Sequence, residues 1–363
     1  MSNTLAVQGR TSYGNVLKMI ADDSSGKQDF KTPMSNLYMD ADGDISFFNT
    51  SRVDGNGFKD LTFSSTDWAE SQIYGKLGMP AQYFKKLRSE EPALLQDHFN
   101  YWAHKSDNDI LLRTKIKGND RGLIRGVVSD QYSIMDNDMV GDMLKSILSG
   151  NEDRFSIQGF SITDRIMHLR LTFVDATQTI GYLKDGSPDY LQIGSDIVNS
   201  EVGYSSYNMM GLVYRLICSN GMRRWMPNGE TFAQRHIFLK TYEFQARIAL
   251  ALVSNYKQGE DMFRNLQGTI QQKIENPFRV IERLSAKGGM SKDFTDIAKN
   301  DWEGDNTAYS VINSITSAAK SLPSERRLDV ERFAGGLPYF NTSEWERVDF
   351  NEDVETASES AEF

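Results

Sequence analysis

The stretch that most constrains the fold is Asp109–Val128, DILLRTKIKGNDRGLIRGVV, where two runs of strand-forming residues flank Gly118-Asn119-Asp120. That pattern predicts an antiparallel hairpin, and an isolated hairpin needs further strands beside it. Downstream, Phe155–Phe173 reads as two strands around a Thr163-Asp164 turn, with Met167, Leu169, Leu171 and Phe173 alternating with His168 and Arg170. Tyr190–Val198 reads as another strand, leading into Asn199–Met222. Upstream, LYMDADGDISFF places two short alternating runs around Asp42-Gly43, again a hairpin. The spacing of Asp40, Asp42 and Asp44 resembles a calcium loop, but Ser51 stands where such a loop needs its twelfth-position glutamate.

Helical spacing brackets these strands. Ser65–Trp102 carries three helices, the first capped by Ser65 or Thr66 and ended by Gly78-Met79-Pro80. Another is capped near Asp136 or Asn137; Phe238–Gln272 is one long helix, and Asn306–Leu322 a last one capped by Asp305 or Asn306. The expected class is α+β: an antiparallel sheet of hairpins in the middle of the chain, an N-terminal helical segment and long C-terminal helices. Residues 1–32, polar and Gly/Ser-containing, read as a loosely ordered arm with one short helix near Asn15–Ala21. Residues 33–340 form the main domain and 341–363 an acidic disordered tail.

Within the hairpin, alternation puts Arg113, Lys115 and Lys117 on one face of the first strand and Arg121 and Arg125 on one face of the second. Leu112 and Ile116 point the other way. A cationic face without acids suits phosphate contacts, or else an edge strand protected against aggregation. In Asn199–Met222, Arg215 sits among aliphatic residues and needs either an ion-pair partner or an anionic ligand. Cys218, the single cysteine, reads as a buried small apolar residue, with a nucleophile the alternative. Tyr204, Tyr207 and Tyr214 serve base stacking or core packing, and Asn220-Gly221 suits a left-handed turn. Arg223, Arg224 and Trp225 then combine two cations with a stacking ring.

These segments resemble a phage- and plasmid-encoded family catalogued as domain of unknown function 932. The resemblance rests on Asn199-Ser200, Gly203, Arg215-Leu216-Ile217-Cys218 and Asn220, with RGLIRGVVSDQYSIMDN, MPAQYFKKL, PALLQDHFNYWA, Arg235-His236 and Asn306–Gly336 in order, covering about residues 65–336. Relatives often carry Thr-Glu-Tyr where Thr316 is here followed by Ser317-Ala318, which argues against an essential carboxylate there.

Charge narrows the function. The net charge is -10, but Glu344–Phe363 holds eight carboxylates and one arginine, so the preceding body is close to balance. An acidic run ending in Glu362-Phe363 resembles the C-termini of bacterial and phage single-stranded-DNA-binding proteins, where such tails recruit partners; a plain solubilising tail is the alternative. No apolar run is long enough to span a bilayer, no signal-peptide pattern opens the chain, and the four histidines and one cysteine lack zinc-site spacing. No phosphate loop, dinucleotide fingerprint or hydrolase motif occurs, so no cofactor, metal or catalytic residue is expected. The expectation is a cytoplasmic, oligomeric protein of a phage or mobile element that binds single-stranded DNA in replication or recombination and breaks no bonds, with replication or recombination partners reached through the tail. The alternatives are a host-takeover or assembly factor that binds proteins only, and an enzyme built on Asp130, Asp136, Asp164 and Asp196.

Overall fold

The computed structural model of the chain describes residues 5–47, 51–52, 62–117, 121–224, 232–237 and 240–350. In chain order the first half contributes β1 (Leu5–Thr11), α1 (Tyr13–Ser24), β2 (Lys27–Pro33), β3 (Leu37–Met39), β4 (Ile45–Phe47), β5 (Ser51–Arg52) and β6 (Thr62–Ser65). Then come α2 (Asp67–Lys76), α3 (Ala81–Glu90), α4 (Pro92–His104), β7 (Asp109–Lys117), β8 (Arg121–Ser129), α5 (Asn137–Leu148), β9 (Phe155–Ile162), β10 (Met167–Tyr182) and β11 (Pro188–Asn199). The chain closes with β12 (Tyr207–Arg215), β13 (Asn220–Arg224), β14 (Phe232–Gln234), α6 (Thr241–Gln271), α7 (Pro277–Lys287), α8 (Lys292–Asn300), α9 (Ala308–Ala318), α10 (Ser324–Gly336) and α11 (Thr342–Phe350).

The strands make two sheets where one was expected. The first runs β1-β9-β10-β11-β12-β13, with β14 also on β12; the second runs β3-β4-β6-β8-β7-β2-β5. Among the described residues all pairs are antiparallel except β6 with β8, where Phe63 lies beside Gly122. One face of the first sheet is apolar (Phe160, Leu169, Leu171, Ile193, Ile197, Met209) and packs on α1, α5 and α6. α6 then continues over Leu191, Val213 and Met222 into a second core built with α7, α8 and α9. The sheet's other face carries His168, Arg170, Asp196 and Arg223 and is covered by α10 through Leu328 and Glu331. Gly335 permits this close approach, because a Cβ there would meet the Arg223 carbonyl oxygen at 2.2 Å. The second sheet packs Phe30, Phe47, Phe63, Leu112 and Ile124 against Ile73, Phe84, Leu95 and Phe99 of α2–α4.

Most helix signals hold, but α9 is capped by Thr307, whose Oγ1 accepts from the Ser310 amide at 3.2 Å, and not by Asp305 or Asn306, and it is not the last helix, since α10 and α11 follow. Thr66 Oγ1 accepts from the Ala69 amide at 3.1 Å, Pro92 opens α4, and the Asp42-Gly43 turn closes on Asp40, whose Oδ1 accepts from the amides of Asp42 and Asp44. Both chain ends differ from expectation. The N-terminal residues are integral to the sheets: β1 pairs β9, and β2 lies between β7 and β5. At the other end, α11 docks through Trp345, and Asp349 accepts from the amides of Glu275 and Asn276 at 2.7 and 2.9 Å before α7. A carboxylate facing a helix N-terminus is favourable, so part of the acidic segment is structural. Glu362 and Phe363 lie outside the described residues. Among the described residues no helix is long and apolar enough to cross a membrane.

Candidate functional site

The hairpin faces fall as the alternation dictates. Arg113 and Lys115 oppose Leu112 and Ile116, and Arg125 joins the same basic face beyond a bulge at Arg113/Thr114. That face looks inward, however, and acids from distant segments neutralise it. Arg113 is fully buried, with Nε 2.9 Å from Asp29, its cross-strand neighbour, and a second ion pair to Asp136. Lys115 binds Asp23, and Arg125 reaches Glu201 at 2.5 Å. Glu201 also takes Lys27 at 2.8 Å and the Asn137 amide at 2.9 Å. Burial opposes its ionisation, but Arg125, Lys27 and Arg113 outweigh burial and hold the carboxyl well below the usual range. Four cations thus meet four carboxylates. Arg121 is exposed; the Lys117 side chain lies outside the described residues.

The other predicted cations are paired too. Arg215 grips Asp189 at 2.9 Å and Glu303 at 2.5 Å, so the ion-pair alternative holds. Arg223 is buried against Asp196 at 2.6 Å, and Arg224 lies 3.4 Å over the Tyr339 ring. Trp225 lies outside the described residues. Arg215, Arg223 and Arg224 line neither of the two clefts described below. Tyr207 and Tyr214 are core, leaving Tyr204 exposed. Cys218 is half-buried in a turn rather than in the strand, beside Arg215, and burial pushes its thiol up. The left-handed turn residue is Ser219 (φ 51°), while Gly221 pairs Tyr214 in the sheet. Nor do the four aspartates converge: Asp130 bonds Gln131 at the surface, Asp136 pairs Arg113, Asp164 lines a cleft and Asp196 sits under α10. Among the described residues no His, Cys, Asp and Glu group could hold a metal ion.

The Asn199–Tyr204 turn is what joins the two sheets. Asn199 Nδ2 donates to the Met135 carbonyl and Asn137 Oδ1, Ser200 accepts from Tyr132 and the Tyr204 amide, and the Val202 carbonyl takes Trp68 Nε1 at 3.0 Å and Gln72 Nε2 at 2.9 Å. Gly203 adopts φ 71°, and a Cβ there would meet Val128 at 2.9 Å. Gly203→Ala should therefore lower the unfolding free energy by about 1–2 kcal/mol, read by urea denaturation.

Two clefts flank the turn. One, of about 780 Å³ between the sheets, is lined by Lys115, Arg125 and Arg165 but also by Asp22, Asp23, Asp67, Asp164 and Glu201. The other, of about 540 Å³, is lined by Trp68, Gln72, Lys76, Ser129, Tyr132, Gly203, Ser205, Ser206, Arg235, His236 and Ile237, with no carboxylate among the described lining residues. Here His236 stacks on Tyr132 (centroids 4.9 Å apart, 21° between planes), with Nδ1 2.6 Å from the Tyr132 hydroxyl. His236 is 4% exposed and its Nε2 has no partner. Burial, then the Arg113 charge, lowers its pKa to about 4, so the ring is neutral near pH 7. The family pattern includes Arg235-His236, Tyr132 and Gly203 without giving them a role, and it does not point to Trp68, Lys76 or Glu201.

No curated protein and no solved structure matches the chain. The family model for the domain of unknown function (DUF932) matches residues 125–321, more than half of the chain and a narrower span than the resemblance covered, and it includes the joining turn and Tyr132, Arg235 and His236. The chain belongs to this family of unknown function.

Proposed function

We propose that the chain binds single-stranded nucleic acid without breaking bonds, in replication or recombination of a phage or other mobile element, and that it does so at the cleft over Trp68 and not along the hairpin. The observation that carries this reading is the charge of the two clefts. Phosphate approaching the larger one meets five carboxylates against three cations, a repulsive balance. Among the described residues the smaller one offers Lys76 and Arg235 and no carboxylate; Asp130, which acts on Lys76, is not in that lining. Its volume suits one base with its phosphate. The Trp68 and Tyr132 rings are sequence-tolerant stacking surfaces, with His236 packed behind Tyr132, and Ser205 and Ser206 supply hydrogen bonds to a base edge.

Fluorescence anisotropy with a labelled thymidine oligonucleotide tests this. Binding should weaken as salt rises, and K76A/R235A should reduce affinity roughly tenfold or more while lowering the log K against log salt slope by about 1.4, two phosphate contacts' worth. The exposed Lys86→Ala variant should bind as the parent does. No binding at about 50 mM salt, or an unaltered double variant, would sink the proposal.

A further inference from the structure

α6 buries Phe244, Ile248, Leu252, Met262, Phe263 and Leu266 in two cores, yet its opposite face is also apolar over three turns. Tyr242, Ala246, Leu250 and Val253 recur at spacings of four, four and three, with Tyr242 85%, Leu250 70% and Val253 60% exposed. A surface helix ordinarily turns polar residues outward. This one does so only at the ends of the ridge, with Glu243 before Leu250 and Lys257, Arg264, Gln267 and Gln271 after Val253. The ridge is therefore local and centred near Leu250.

We infer that this ridge is a self-association surface, on which a second copy of the chain packs its own α6 antiparallel about a twofold axis at Leu250. Charge selects both occupant and direction. At a 3.6-residue period, Glu243 and Lys257 lie seven residues before and after Leu250 and close to the same line along the helix. In an antiparallel pair each Glu243 stands opposite the other copy's Lys257, giving two complementary contacts. A parallel pair would set Glu243 against Glu243 and Lys257 against Lys257. The small Ala246 falls beside the other copy's Val253, which lets the axes approach around the two central leucines. Glu243 presently pairs Lys240 at 3.0 Å; both are exposed, so re-pairing costs little. An acidic partner, such as the segment after Phe350, is a poorer fit, because the ridge carries Glu243 at one end and Lys257 at the other. Two helices meeting over about four turns bury an area at the small end of specific interfaces, so the dimer should be weak, with Kd on the order of 10 µM.

Sedimentation equilibrium of the full chain from micromolar to near-millimolar concentration tests this. The wild type should dimerise with concentration. L250E should remain monomeric, and K257E, which sets Glu243 against glutamate, should weaken association roughly tenfold. The charge swap E243K/K257E should restore it, since complementarity is regained. Glu243, Leu250 and Lys257 are all exposed, so each variant should keep the wild-type melting profile. A wild type monomeric throughout, an L250E chain that still dimerises, or a swap that fails to restore association overturns the inference. Oligonucleotide binding is read separately, so neither result decides the other.

Discussion

Replacing Asp196 with alanine is expected to lower the free energy of unfolding by about 3–5 kcal/mol, the range for removing one partner from a buried ion pair. Asp196 is fully buried on the polar face of the first sheet. It accepts from His168 Nε2 at 2.6 Å, from Arg170 Nε at 3.3 Å and from Arg223 Nη1 at 2.6 Å. Burial works against its ionisation, yet the surrounding cations outweigh burial and hold the carboxyl well below its ordinary 3.8. A protonated His168 would add to that, but burial lowers the imidazole below its usual value, so near neutral pH the ring serves as a hydrogen-bond donor and Arg223 and Arg170 supply the charge. Alanine leaves Arg170 to Glu331, which Arg327 also engages, and leaves Arg223 without a carboxylate in contact. Two buried guanidiniums then share one acid, and the desolvation of the second goes uncompensated. The exposed pair Arg154–Asp175 is the comparison: Arg154→Ala should leave the urea midpoint unchanged, because solvent screens that contact. A loss below about 1 kcal/mol at Asp196 would mean that the sheet and α10 part to admit water.

What the sequence made legible, and what it hid, follows sequence distance. The hairpin's two faces could be read because period-two alternation is local: Leu112 and Ile116 go to one core, Arg113 and Lys115 to the other side. What that basic face meets could not. Asp29 lies 84 residues before Arg113, and Glu201 lies 76 after Arg125, and nothing near the cations announces either. One usable signal is present within Asn199–Met222 itself. Glu201 is the sole charged residue between Asn199 and Tyr214, and a lone carboxylate among uncharged neighbours at the end of a buried strand implies cations from elsewhere. The N-terminal residues were misread for a different reason. In β2 only Phe30, between Asp29 and Lys31, and Thr32, between Lys31 and Pro33, are buried, so the apolar signal is too sparse to overcome a polar composition. The cleft over Trp68 combines both difficulties: Tyr132 and His236 are 104 residues apart, and Trp68 comes from a helix beyond the family match.

The other large effect concerns pH, and its sign is set by burial of a base. His236 has its pKa lowered from 6.5 to about 4, by burial first and then by the charge of Arg113, with Glu201 opposing. Between these values the unfolded chain binds a proton that the folded chain refuses, so unfolding free energy rises with pH across this window and is lost as pH falls from 6.5 toward 4. The full drop corresponds to roughly 3 kcal/mol. His236→Phe keeps a ring against Tyr132 and removes the titration, so its unfolding free energy should change less over this window than the wild type's, measured by urea denaturation at several pH values. Only the difference between the two proteins isolates His236. His168, also lowered by burial, acts in the same direction in both, while Glu70 and Asp136, whose carboxyls burial raises, act in the opposite direction in both. Identical pH dependence in the two proteins would show that His236 admits its proton without cost in the folded chain.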